Sequence, residues 1–261
     1  MTARAMNRRS LIRMAQLVAI LAGAWSLKFY YSTATVNQLR WILAPTTTVV
    51  EIVTGSRFYF EAHAGYMKSD HTFLIAASCA GVNFLITSFL MLSLRKVWRD
   101  RSREAARGVK QTLIDWSFLP TAAVVAYLAT LVANTIRIST ALLYRGSSDV
   151  NFLDKDQLHR AEGIVIYFGV LLALFMFSEA ISDRHLRNRP LKSKSLSIIH
   201  SYCFPLLVYY ATTLGMPILN GAYQRSDFWE HLSFVLLTPL LLILPLVSIR
   251  ISNRVVRASV N

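Results

Sequence analysis

The sequence predicts an all-α membrane protein, a polytopic bundle of about six transmembrane helices with a small outer hairpin. Hydrophobic residues make up 54% of the chain and charged residues only 16%, with a mean hydropathy of +0.41. The apolar residues collect into runs of about twenty, the length that a helix needs to cross roughly 30 Å of hydrocarbon. This composition argues against an ordinary soluble domain. Since no linker, low-complexity tract or internal repeat is visible, residues 1–261 are interpreted as a single integral membrane domain.

Basic residues orient the predicted spans, which are 11–31, 76–94, 116–136, 160–180, 196–214 and 231–249. Of the 28 Lys and Arg residues, 19 lie at the two termini and in the loops after the second and fourth spans. Because short cytoplasmic loops are rich in Lys and Arg, this distribution places both termini in the cytoplasm. The net charge of +14 could also indicate nucleic acid binding. Every basic cluster abuts a span, however, so we expect the lipid bilayer and no nucleic acid as a partner.

Three segments outside the central spans need separate interpretation. The N-terminal segment has the basic start and apolar core of a signal peptide, but its apolar run is long enough to remain as a span. Residues 41–54 are apolar but short, and they contain Pro45 and Glu51, which favours an interfacial helix. Segments 57–61 and 72–76 are rich in aromatic or apolar residues and flank 63–70, which predicts the outer hairpin.

The two cysteines fall at opposite sides of the predicted bundle. Cys79 opens the second span at the outer face, whereas Cys203 lies near the inner end of the fifth span. On the order of 20 Å of bilayer separates them, which is too far for a disulfide. Cys203 is interpreted as an inert, buried small hydrophobe. Cys79 has small neighbours and is either a packing residue or an exposed reactive thiol.

Two further side chains stand out near the outer face. Arg137 interrupts a long apolar stretch, and an Arg near the bilayer centre costs at least about 2.5 kcal/mol, so it either faces a polar interior or extends to the interface. Asn134 precedes it by three residues on the same helical face. Four of the six histidines are on the outer side, and His159 is the stronger candidate because Gly163 permits close packing one turn later. His71 is its closest rival.

A thiol, a guanidinium and an imidazole at the outer ends of three successive spans would form a catalytic set. A neighbouring Arg or protonated His favours the nucleophilic thiolate. An Arg can also stabilise an oxyanion, and a His can protonate a leaving amine. This combination predicts acyl transfer through a thioester. A metalloprotease is disfavoured because no His-Glu-x-x-His motif is present and the outer histidines lack the spacing of metal ligands.

Three motifs resemble those of the exosortase and archaeosortase superfamily of membrane-embedded cysteine transpeptidases. They are Cys-Ala-Gly-Val-Asn from Cys79, Asn-x-x-Arg from Asn134 to Arg137, and His-x-x-x-Gly from His159 to Gly163. The resemblance covers about residues 40–180, with the motifs themselves within 55–180. The hairpin and the Gly-Val-Asn-Phe sequence are most similar to the exosortase K subgroup. Ala80 stands where many members carry Ser, which leaves a hydroxyl contact there in doubt.

The resemblance implies a function and a set of site residues. Cys79, Arg137 and His159 would be catalytic, while Asn134, Asn83 and Gly81 would bind the substrate. No metal or cofactor is implied. The substrates would be exported proteins with a C-terminal motif, a transmembrane helix and a basic tail, processed on the outer side of the bacterial cytoplasmic membrane, facing the periplasm or the cell exterior. A non-enzymatic transporter subunit or assembly scaffold remains the alternative, since it explains the spans without a catalytic set.

Overall fold

The chain is mostly helical throughout the part that the structure describes. The computed structural model describes residues 8–101, 116–144, 155–184, 196–215, 218, 224 and 228–259. The elements in order are α1 (Arg8–Thr33), α2 (Arg40–Thr54), β1 (Phe58–Glu61), β2 (Gly65–Lys68), β3 (Leu74–Ile75), a 3₁₀ turn (Ala77–Ala80), α3 (Val82–Arg101), α4 (Phe118–Tyr144), α5 (Lys155–Arg184), α6 (Leu196–Tyr210), a π-helical turn (Ala211–Gly215) and α7 (Phe228–Ser259).

Five helical stretches among these residues are long and apolar enough to cross a membrane. They are Ser10–Thr33, Ala77–Arg99, Phe118–Leu143, Arg160–Ser182 and Phe228–Ser248. Each overlaps a span that the hydropathy of the sequence predicts. The remaining predicted span, 196–214, consists of the 15-residue helix α6 followed by the π-helical turn. Its role as a sixth crossing stays a prediction, and parts of the basic loops used to orient the spans lie outside the described residues.

The contacts divide the chain into two compact units, Met1–Asn134 and Thr135–Asn261, with the boundary inside α4. In the first unit, α1 packs along α3, and α2 packs against the 3₁₀ turn. In the second unit, α5 packs against α6 and α7, and α6 also contacts α7. Tyr210 on α6 donates a hydrogen bond from its hydroxyl to the carbonyl of Leu236 on α7, with a distance of 2.6 Å.

The segment between α2 and the 3₁₀ turn is a three-stranded antiparallel sheet in the order β1-β2-β3. Phe58 pairs with Lys68, and Tyr66 pairs with Ile75. The sequence predicts strands near β1 and β3, but residues 65–68, expected to connect them, form the central strand. Gly65 has a φ of 133°, and its position is too close to the Ile75 backbone for a side chain. The close approach of β2 and β3 therefore depends on this glycine.

Helix α2 contains Pro45, and a side chain on another helix replaces the backbone hydrogen bond that this proline removes. Pro45 has no N–H, so the carbonyl of Trp41, four residues earlier, has no intrahelical donor. The hydroxyl of Tyr127 on α4 donates to that carbonyl at 2.9 Å. The two rings are also stacked, with centroids 5.8 Å apart. This contact joins the start of α2 to α4 within the first unit.

We predict that the cost of Tyr127→Phe depends on Pro45. Phenylalanine keeps the stacked ring but leaves the Trp41 carbonyl without its donor, which lowers the free energy of unfolding by roughly 1–3 kcal/mol. With Pro45→Ala, residue 45 regains an N–H that can donate to Trp41, so the same Tyr127 substitution costs much less. Thermal unfolding of the parent, the two single variants and the double variant in detergent measures this coupling. Strictly additive effects would show that the hydroxyl does not replace the missing helical bond.

Candidate active site

Cys79 lies in a short turn that is closed by a glycine. The backbone N–H of Cys79 donates to the carbonyl of Ala76 at 2.9 Å. Gly81 ends the 3₁₀ turn with a φ of 67°, a left-handed conformation that favours glycine. The N–H of Leu85 then donates to the carbonyl of Gly81 at 3.0 Å as α3 begins. The thiol of Cys79 is free and half-buried at this junction.

Asn134 on α4 contacts the same turn. Its amide nitrogen Nδ2 donates to the carbonyl oxygen of Ala80 at 2.9 Å, and its side chain is only 1% exposed. A Cβ atom on Gly81 would lie 2.6 Å from Nδ2 of Asn134, closer than atoms can approach. Gly81 is therefore required both by its backbone conformation and by the space that Asn134 occupies. The cysteine motif and the first residue of the Asn-x-x-Arg motif are in direct contact.

Arg137 lies one helical turn after Asn134 on α4 and contacts α5 within the second unit. Its Nη1 donates to the hydroxyl of Tyr167 at 3.2 Å, and its Cζ lies 5.5 Å from the centre of the Tyr167 ring. A Cβ on Gly163 would lie 3.3 Å from Nε of Arg137. The side chain of Arg137 is half-buried and lies across the face of α5 that Gly163 leaves open. The glycine of the His-x-x-x-Gly motif thus makes room for the arginine.

His159 lies in the first turns of α5, where the structure describes its backbone but not its side chain. Residues four apart in a helix lie on the same side, one turn above the other. His159 is therefore placed on the side of α5 that carries Gly163 and, a further turn on, Tyr167. Since Gly163 and Tyr167 both contact Arg137, the spacing of these three residues identifies the side of α5 that faces the arginine.

Two partners of the candidate residues are not among the residues predicted from the sequence. Tyr167, which contacts Arg137, could have been found because it continues the four-residue spacing of His159 and Gly163. Lys28 on α1 could not, because nothing in the sequence pairs it with α3. Its Nζ donates to Oδ1 of Asn83 at 2.8 Å. The side chain of Asn83, expected to bind the substrate, is thus engaged by α1.

The rival histidine, His71, belongs to the sheet. Its Nδ1 lies 2.9 Å from the hydroxyl of Tyr59 on β1, and its φ is 57°. The neighbouring carboxylate of Asp70 accepts hydrogen bonds from Lys68 and Thr72, which hold the pKa of Asp70 well below its usual range. Because its pKa is lower in the folded state, ionised Asp70 stabilises this turn above the usual carboxyl pKa, and the contribution is lost as the pH falls. His71 therefore sits in a turn with its own set of contacts.

Cys203 is exposed on α6, where the sequence analysis expected a buried residue. The expectation was wrong because an apolar side chain on a membrane helix can face outward without meeting water. Like Cys79, Cys203 is a free thiol, so the two cysteines do not form a disulfide with each other. Among the described residues, no group of three or more His, Cys, Asp or Glu side chains is placed to hold a metal ion.

We predict that Gly81→Ala is strongly destabilising, whereas Gly169→Ala is tolerated. A non-glycine residue at a left-handed φ costs about 1–2 kcal/mol, and the overlap with Asn134 adds to this. Gly169 lies in the interior of α5 with no atom within 4 Å of its added Cβ, so alanine there should be neutral or stabilising by roughly 0.5–1 kcal/mol. Melting temperatures of the two purified variants test this difference. Equal melting temperatures would contradict the described geometry of the cysteine turn.

Comparison with known proteins identifies no relative of this chain. No family model matches it, and neither a curated protein nor a solved structure shows significant similarity. The contacts of the residues themselves are therefore the evidence for its function.

Proposed function

We propose that this chain is a membrane-embedded cysteine transpeptidase of the exosortase type, most similar to the exosortase K subgroup. It cleaves the C-terminal sorting signal of exported proteins through a thioester and transfers the new carboxyl end to an acceptor. The reaction takes place at the outer side of the bacterial cytoplasmic membrane. The substrates carry a short motif, a transmembrane helix and a basic tail.

The observation that carries this proposal is that the Asn-x-x-Arg motif contacts the cysteine motif within the first unit and the His-x-x-x-Gly motif within the second. Asn134 fills the space that the absent side chain of Gly81 leaves, and Arg137 fills the space beside Gly163. The glycines of the first and third motifs thus each receive a side chain of the second motif. If the helices packed together without a shared function, there would be no reason for the residues of the sequence motifs to be the ones that approach each other closely.

In the proposed first step, Sγ of Cys79 attacks the carbonyl carbon of the substrate peptide bond. Arg137 stabilises the thiolate before the attack and the oxyanion that forms during it. Tyr167 orients the guanidinium of Arg137, whose planar fork of N–H donors suits an oxyanion. Asn134 is assigned a positioning role in place of the substrate contact expected from the resemblance, because its amide is buried and bound to Ala80.

His159 completes the step as the general acid. The proton of the Cys79 thiol passes to His159 when the thiolate forms. The tetrahedral intermediate then collapses, the C–N bond breaks, and the leaving amine takes that proton from the imidazolium of His159. The acyl group remains on Cys79 as a thioester. The acceptor nucleophile then attacks the thioester carbonyl and gives up a proton to His159, and the C–S bond breaks to release the Cys79 thiolate. The C-terminal fragment and the transferred product account for all the atoms of the substrate and acceptor.

We predict that Cys79→Ala abolishes processing in cells, whereas Cys203→Ala does not. The two residues are the two free thiols of the chain, so each variant loses one sulfur atom. Loss of the nucleophile should reduce processing by at least about a thousandfold. Mass spectrometry of the C-terminal peptides of exported proteins measures the effect and requires no assumption about the motif. In the Cys79 variant, proteins with a C-terminal transmembrane helix and basic tail should remain uncut.

Continued processing by a correctly inserted Cys79→Ala protein would refute the enzymatic proposal and favour a transporter subunit or scaffold. Loss of processing in the Cys203 variant as well would show a general dependence on folding rather than a nucleophile.

A further inference from the structure

Helix α2 exposes an uncharged, mainly apolar face. The residues exposed on it are Trp41 at 40%, Val49 at 39%, Ile52 at 76% and Val53 at 62%, together with the threonine Thr48 between them. The opposite face is buried in the first unit and carries Ile42, Leu43, Thr46, Thr47 and Val50. An amphipathic helix at a water interface has one polar face, whereas the exposed face of α2 from Trp41 to Val53 carries no charge.

The threonine hydroxyls of α2 and the carbonyl freed by Pro45 have partners within the protein. The hydroxyls of its four threonines each donate to the carbonyl four residues earlier: Thr46 to Ile42, Thr47 to Leu43, Thr48 to Ala44 and Thr54 to Val50. The carbonyl of Trp41, freed by the proline, receives the hydroxyl of Tyr127. Hydrocarbon requires this internal pairing, because an unsatisfied backbone group there costs several kcal/mol.

Glu51, which favours an interfacial helix in the sequence, also has a partner within the protein. Oε1 of Glu51 accepts a hydrogen bond from the backbone N–H of Phe58 at 2.7 Å, so the carboxylate is turned toward the start of β1 near the end of the helix. Pro45 and Glu51 favour an interfacial helix in the sequence, but the carbonyl that Pro45 frees and the Glu51 carboxylate both have protein partners that permit deeper insertion.

The exposed face of α2 lies next to an exposed apolar surface on α4. Trp41 stacks on Tyr127, and the neighbouring Val124 and Leu128 are 57% and 54% exposed on a candidate membrane span. The start of α2 thus lies beside the span itself. With 15 residues, α2 is about 22 Å long, too short to cross roughly 30 Å of hydrocarbon.

We propose that α2 is a re-entrant helix, which enters the bilayer without crossing it and places the face from Trp41 to Val53 against lipid acyl chains. Because α2 packs against the 3₁₀ turn that carries Cys79, a helix seated in lipid supports that turn from one side. This inference concerns membrane insertion and does not depend on the proposed enzymatic activity.

Spin labelling in lipid nanodiscs of phosphatidylcholine and phosphatidylglycerol tests the proposal. Single cysteines replace Val49, Ile52 or Val53 in a background of Cys79→Ala and Cys203→Ala, and each is labelled with a nitroxide. The lipid reference is Leu128→Cys on α4, and the water reference is Ser69→Cys, exposed beyond β2. We expect the three α2 labels to match Leu128 in high collision rates with oxygen and low collision rates with a water-soluble nickel chelate.

Two results would overturn the proposal. Nickel accessibility of the α2 labels equal to that of Ser69 would place this face in water. Protection from both reagents, with dipolar broadening between labels on two chains, would show that a second copy covers the face.

A photoreactive benzophenone residue in place of Ile52, in a chain that keeps both cysteines, provides an independent measurement. Lipid adducts support the proposal, and protein adducts contradict it.

Discussion

The hydrogen bond from Asn134 to the carbonyl of Ala80 is the contact on which the candidate site depends. The Asn134 amide is almost completely buried in a candidate membrane span, where a polar group without a partner is costly. Its partner is the backbone beside the cysteine, and the approach is close enough that Gly81 cannot carry a side chain. The amide therefore determines where the cysteine turn sits on α4. The amide adds a steric requirement for glycine at position 81 to the one that its left-handed φ already imposes.

Helix α4 has two different faces, one exposed and apolar and one that contacts the rest of the protein. Val124, Leu128, Val132 and Ile136 form an exposed stripe with a four-residue spacing, as expected for contact with lipid. Asn134 and Arg137 fall outside this stripe and contact the protein, Asn134 at the cysteine turn and Arg137 at α5. The cost of a basic side chain in an apolar helix is reduced when it has polar and aromatic partners of this kind.

Hydropathy predicted the helices well because the length and apolar content of a span are properties of a continuous segment. The partner of a buried polar group depends instead on helix rotation and depth, which a hydropathy pattern does not reveal. For that reason the sequence does not connect Lys28 with Asn83, or Tyr127 with Trp41. The central strand of the sheet was also missed. Residues 63–70 contain the turn formers Gly65 and Asp70, and the strand is recognisable only once both its neighbours pair with it.

The most direct test of the account measures the reactivity of Cys79 when Asn134 is replaced by leucine. Leucine is similar in size but cannot donate to Ala80, so the cysteine turn loses its attachment to α4. The measurement is the rate of alkylation by iodoacetamide, followed by peptide mass spectrometry, with Cys203 in the same chain as the internal reference. The account predicts a slower reaction at Cys79 and an unchanged rate at Cys203. An unchanged or faster reaction at Cys79 in a folded Asn134→Leu protein would contradict it.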